Sequence, residues 1–198
     1  MFAEKKINLI NYLISFLPLS IILGNLILNI NIILVCFFGL LIYGKKTFLI
    51  EKKNYQILIY TFFFYLILIT LINNLPNYYL DSLYKDHILK SLFYLRFLLF
   101  FLIINKLIEE KSLDIKLFFY SAAFFSCLVS FDILIQVIFK KNLIGYEITW
   151  DRPSSFFGNE HIAGGYLQKF ILFFIFLCAY KFKSNFKVFL LFILARIL

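Results

Sequence analysis

Arg96, Asp132 and Lys169 each fall inside a long apolar run, where an ionisable side chain is costly and calls for a partner or a task. A guanidinium and an ammonium held in an apolar setting can bind an anion. Gln136 lies one helical turn beyond Asp132 and shares its face. These four residues admit two readings. In one, Arg96 and Lys169 snorkel to the membrane surface while Asp132 pairs with one of them to hold helices together. In the other, they line a polar pocket, basic in balance, for an anionic ligand.

The stretch 140–160 sits above these residues and adds groups of the same kind. Arg152 supplies a further guanidinium, Asn159 is a natural helix N-cap, and Glu160 would occupy the first turn. Gly164 and Gly165 follow, where small residues permit close approach of a backbone or a ligand. Helix-start amides with an arginine nearby form a natural phosphate site. The alternative is an ordinary connector, with Tyr146, Trp150 and Tyr166 as interfacial anchors. His87 and His161 have the titration range of a general base. No Ser, Cys or carboxylate is set at a spacing that would complete a nucleophilic site with either. Asp81 and Asp86 read as solvated loop charges.

The elements that must position these groups are membrane helices. Hydrophobic residues make up 63% of the 198 and aromatics 21%, against about 45–50% apolar in soluble domains. A bilayer core takes about 20 apolar residues per helix. Runs of that order cover 7–23, 26–43, 55–72, 88–108, 117–139 and 161–180. They are continuous and not alternating, which excludes an outer-membrane barrel. The fold class expected is all-α: a polytopic transmembrane bundle of about six spans, forming one domain over 1–198, with outer loops at 73–87 and 140–160. A seventh run, 188–198, has eleven residues and carries Arg196. Its shortness predicts a span cut off, so the chain is expected to be part of a longer one.

The net charge of +9 follows the loops. Twelve lysines, from Lys5 and Lys6 through Lys45, Lys46, Lys52, Lys53, Lys106, Lys111 and Lys116 to Lys181, Lys183 and Lys187, gather on one side when the spans alternate. The positive-inside rule makes that side cytoplasmic, with the N-terminus on it. Arg96, Asp132 and Lys169 then lie about 10–12 Å below the outer face at 1.5 Å per residue. The basic residues are not interleaved with polar readers, so nucleic acid is not expected as a partner. Cys36, Cys127 and Cys178 lie in apolar runs and read as small hydrophobes, and no metal-ligand spacing occurs.

The run Arg152-Pro153-Ser154-Ser155-Phe156-Phe157-Gly158-Asn159, continuing through Gly164-Gly165-Tyr166-Leu167, resembles the O-antigen ligase/polymerase family of bacterial membrane proteins. Tyr94-Leu95-Arg96-Phe97, two spans earlier, is similar to that family as well. His161 and Pro153 depart from the family pattern, and no catalytic role is carried to His161. The resemblance implies a glycosyltransferase for cell-surface polysaccharide on the periplasmic face of the inner membrane. It would take glycan from an undecaprenyl-diphosphate carrier and pass it to lipid A-core, a protein or another glycan. No cofactor or metal is implied.

By that analogy Arg152, Arg96 and Lys169 bind the donor diphosphate. Asp132, Gln136, Asn159, Gly164 and Gly165 support them. The family's catalytic His belongs to a large outer loop expected beyond Leu198, so these residues alone are expected to be inactive. The competing expectation is a non-enzymatic transporter or flippase segment whose polar cluster binds an anionic lipid or an ion. A scaffold subunit, with charges that only pair helices, is a third.

Overall fold

A computed structural model describes residues 2–49, 54–74, 82–148, 153–158, 160 and 162–181. Among these the chain is helical, with no strand longer than an isolated bridge. The helices are α1 (Phe2–Ser15), α2 (Leu17–Ile22), α3 (Asn25–Tyr43), α4 (Asn54–Asn74), α5 (Ser82–Phe93), α6 (Leu95–Glu109), α7 (Ile115–Phe139) and α8 (Ala163–Lys181). Four stretches are long and apolar enough to cross a membrane: Asn25–Phe48, Tyr55–Asn73, Ile88–Glu109 and Ile115–Phe139. The chain is thus a membrane protein by the length and composition of its helices.

Two expected spans are interrupted. The run 7–23 breaks at Phe16, because Pro18 has no N–H to give the Ile14 carbonyl and its ring crowds the preceding turn. The Ser15 carbonyl beside the break accepts a hydrogen bond from the Ser121 hydroxyl. The run 88–108 is hitched at Tyr94, whose N–H is shared between the carbonyls of Lys90 and Ser91, both at 3.2 Å. Phe97 N–H then donates to the Tyr94 carbonyl at 2.9 Å, a 3₁₀-type tightening. The expected outer loop 73–87 is also shorter than its sequence suggested, since α5 begins at Ser82.

Contacts divide the chain into two compact units. The first gathers residues 1–10 with 29–113. In it α4 packs on α5 and α6, and the 3₁₀ turn Gly44–Phe48 packs on α6. Gly39 of α3 meets Ile103 of α6 so closely that a Cβ would lie 2.5 Å from the isoleucine side chain. The Cys36 thiol donates to the Arg96 carbonyl at 3.5 Å. Tyr43 and Ser112 join their hydroxyls at 3.4 Å, and Tyr55 Oη donates to Asn105 Oδ1 at 3.1 Å.

The second unit gathers 11–28 with 114–198, and its most extensive pairing is α7 with α8. Asp114 caps α7 by accepting from Leu117 N–H at 3.1 Å, while Asn11 Oδ1 accepts from the Asp114 N–H at 3.0 Å. Ala122 and Val129 of α7 pack with Tyr166 and Phe170 of α8, all buried. Phe173 sets its ring against Phe118 and Phe119, with centroids 5.4 and 4.8 Å away. Tyr166 stacks near Phe170 and donates its hydroxyl to the Pro18 carbonyl at 3.2 Å. In lipid such contacts stabilise through dispersion and close packing, since the surrounding tails are as apolar as the side chains.

The Gly39–Ile103 approach can be tested directly. Gly39→Ala is expected to destabilise the protein by about 1–3 kcal/mol through overpacking. Combined with Ile103→Ala, it should cost about 1 kcal/mol less than the sum of the single changes. Thermal unfolding in detergent measures both, and strict additivity would refute the close contact.

Candidate functional site

Asp132 and Gln136 lie one turn apart on one face of α7, as their spacing predicted, and both are fully buried. What they face is the returning loop. Helix α7 ends at Lys140, which takes a left-handed conformation (φ 63°) and turns the chain back. Asn142 N–H then donates to the Tyr146 carbonyl at 2.9 Å, and Gly145 N–H to the Asn142 carbonyl at 3.0 Å. Gly145 has φ 100°, a conformation that only glycine adopts without strain at this turn.

The loop's polar groups close on the two helix side chains. Asp132 Oδ1 accepts from Leu143 N–H at 2.9 Å, and Oδ2 accepts from the Ser155 hydroxyl at 2.7 Å. Gln136 Oε1 accepts from Ser155 N–H at 2.8 Å, and its Nε2 donates to the Tyr146 carbonyl at 3.3 Å. Asn142 ties the two arms of the loop together. Its Oδ1 accepts from the N–H groups of Tyr146 and Ile144 at 2.7 and 3.1 Å. Its Nδ2 donates to the Ser155 carbonyl at 2.7 Å. Ser155 is held at φ 54°, which lets its N–H and its hydroxyl reach the two neighbouring turns of α7 together.

This network carries the loop to the start of α8. Phe156 and Phe157, in the 3₁₀ turn Ser155–Phe157, pack on the core shared by α7 and α8. Phe157 lies 5.6 Å from the Tyr166 ring. Ser154 is buried with its hydroxyl unbonded, beside this anchored turn. On the exposed rim, Lys141 and Glu147 pair at 3.0 Å, a solvent-screened contact that contributes little.

Asp132 and Gln136 carry the expectation of orienting cations; among the described residues their oxygens accept from the loop's N–H and hydroxyl groups. An acceptor set matched to backbone donors anchors a loop, whereas a free carboxylate would serve as a base. A Cβ at Gly164 or Gly165 would meet nothing within 4 Å, so both positions are open. Lys169 is exposed on α8. Arg152, Asn159 and His161 lie outside the described residues, as does the side chain of His87.

Arg96 belongs to the first unit and is half-buried there. Its guanidinium carbon stands 4.9 Å from the centroid of the Phe97 ring. Its Nε is buried and has no hydrogen-bond partner. Phe97 and Phe101 of α6 face Ile57, Leu58 and Phe62 of α4 across an open apolar groove of about 1030 Å³. Among the described residues no group of three His, Cys, Asp or Glu side chains could hold a metal ion.

Asn142 and Ser155 hold this network together and had no role in the sequence reading. An Asn three residues before Gly, just past a helix end, is a turn signal that pointed to Asn142. Ser155 carried no such signal, because its partners are 19 and 23 residues away.

Removing the acceptor tests the anchor. Asp132→Ala leaves the Leu143 N–H and the Ser155 hydroxyl without partners, at about 1–3 kcal/mol per orphaned buried group. Hydrogen exchange at Leu143 and Ser155 should then quicken by about tenfold to a hundredfold. Asp132→Asn keeps an acceptor for Leu143 and should retain most of the protection. Equal protection in Asp132→Ala and the parent would show that the loop is held by something else. No protein-family model, no curated protein and no solved structure matches this chain.

Proposed function

We propose that the protein is a bacterial inner-membrane glycosyltransferase component of the O-antigen ligase/polymerase kind. It binds an undecaprenyl-diphosphate-linked glycan on the periplasmic side and takes part in transfer of that glycan to an acceptor. The proposal includes a six-span topology with a cytoplasmic N-terminus. The observation that carries it is Arg96 beside the apolar groove. A lipid diphosphate needs a cation for its head and an apolar channel for its isoprenoid tail. The first unit offers both within one pair of helices: a half-buried guanidinium with Nε unbonded, and a groove between α4 and α6 that begins at the adjacent Phe97.

The anchored loop of the second unit supports the same reading. A site that handles a diphosphate at the membrane surface needs its polar residues held in place, since a misplacement of about 1 Å can cost a hundredfold in rate. Asp132, Gln136 and Asn142 fasten the loop on both sides of Arg152, at Leu143 to Tyr146 before it and at Ser155 after it. Within this unit Arg152 would then act as a charge-assisted donor to an anion at the membrane surface, with Lys169 adding attraction.

The test is binding of an undecaprenyl-diphosphate glycan to the purified chain in detergent, followed by native mass spectrometry. Arg96→Gln should weaken binding by about tenfold to a hundredfold, the worth of one charge-assisted contact. Arg96→Lys should recover only part of it, because an ammonium cannot present a bidentate fork. Unchanged binding in Arg96→Gln, with normal protein yield, would remove the reading. Binding that persists while the protein transfers no glycan would point to a lipid carrier's transporter.

A further inference from the structure

We infer that the segment 44–49, at the end of α3, is an interfacial anchor that binds the head groups of anionic phospholipids. This does not rest on the transferase reading. The span Asn25–Phe48 is long and apolar enough to cross a membrane, so its final turn lies where the chain leaves the bilayer. That turn is a 3₁₀ helix, Gly44–Phe48, entered through Gly44 at φ 50°. It sorts its side chains sharply. Thr47 is 1% exposed and turned inward, whereas Lys45 and Lys46 are exposed, as are Phe48 at 52% and Leu49 at 63%.

Two ammonium groups followed by two outward apolar side chains are the composition of a membrane-surface contact. The lysines meet lipid phosphates while the phenyl and isobutyl groups enter the boundary between head groups and acyl chains. The turn packs on α6, and Tyr43, one residue before it, joins its hydroxyl to Ser112 at 3.4 Å. Lys111, the neighbour of Ser112, is exposed at this same end and adds a third positive charge. Glu110, also exposed, offsets one of the three, and Glu109 is engaged by Lys106 at 2.8 Å. The surplus is positive.

The choice of a phospholipid over a soluble anion follows from Phe48 and Leu49. A free phosphate would use the lysines and leave two large apolar side chains in water. A lipid uses both pairs.

The experiment places the full chain in nanodiscs of phosphatidylcholine containing a minority of phosphatidylglycerol, and counts the phosphatidylglycerol retained on release by native mass spectrometry. Lys45→Gln/Lys46→Gln is expected to lower preferential retention by about tenfold. Phe48→Ser should lower it with both charges intact. Lys140→Gln/Lys141→Gln, an exposed basic pair of the second unit, should leave it unchanged. Full retention in the Lys45→Gln/Lys46→Gln variant overturns the anchor. So does an equal loss in the Lys140/Lys141 control, which would make net charge the cause, or displacement of the lipid by millimolar inorganic phosphate. Should the double variant fail to assemble, the single variants Lys45→Gln and Phe48→Ser, both at exposed positions, carry the test. Wild-type retention in both would end the proposal.

Discussion

A backbone N–H that leaves a helix at the edge of a bilayer has lost its intrahelical acceptor and has little water to turn to. Left unpaired and buried, each such group costs about 1–3 kcal/mol. The chain meets that demand beyond α7 with side chains placed one turn apart. Asp132 and Gln136 present acceptors to Leu143 N–H, Ser155 N–H and the Ser155 hydroxyl, and Asn142 closes the loop on itself. Because these partners come from both arms of the loop, satisfying them also fixes where the loop runs. Phe156 and Phe157 are thereby delivered to the α7–α8 core, and the entry to α8 is set by the same bonds.

The same accounting governs the rest of the fold. At Phe16 the helix is interrupted because Pro18 withdraws a donor, and the neighbouring Ser15 carbonyl recovers a partner from Ser121. At Tyr94 one N–H serves two carbonyls, and the Arg96 carbonyl beyond the hitch accepts from Cys36. Hydroxyls inside the spans turn back on their own helices, as Thr61 does to the Ile57 carbonyl and Ser130 to the Ser126 carbonyl, both within 2.9 Å. Against this background the unbonded Nε of Arg96 stands out, along with the side-chain oxygens of Thr47, Gln56 and Ser154, as a buried polar atom whose partner the described residues do not supply. The guanidinium carries charge and lies over Phe97, which lines an apolar groove, so it has the larger chemical consequence.

The units differ in what they present. The first has an apolar groove, a half-buried cation and a basic end whose turn sorts charge outward and a hydroxyl inward. The second is organised around a polar network buried at the end of its longest helix. A cation with an apolar channel suits a lipid-borne anion, while a fastened loop suits the positioning of groups at the membrane surface. The two features are independent, and each keeps its meaning without the other.

Much of this was legible in the residues. Continuous runs of Leu, Ile and Phe can satisfy their backbones in lipid only as helices or closed barrels, and runs of this length exclude the barrel. The helical class therefore followed from composition and run length. The shared face of Asp132 and Gln136 followed from their spacing, since a period of 3.6 places residues four apart together whatever surrounds them. Only the tertiary structure decided what that face meets. From spacing alone a buried carboxylate suits a cation, a neighbouring helix or a loop equally well, because the choice depends on donors far away in sequence. Ser155 reaches it across 23 residues, through a left-handed turn at Lys140 that no propensity of lysine foretells. The hitch at Tyr94 and the contact of Gly39 with Ile103 are of the same kind. Local periodicity sets which way a side chain points, and only the packed chain sets what it touches.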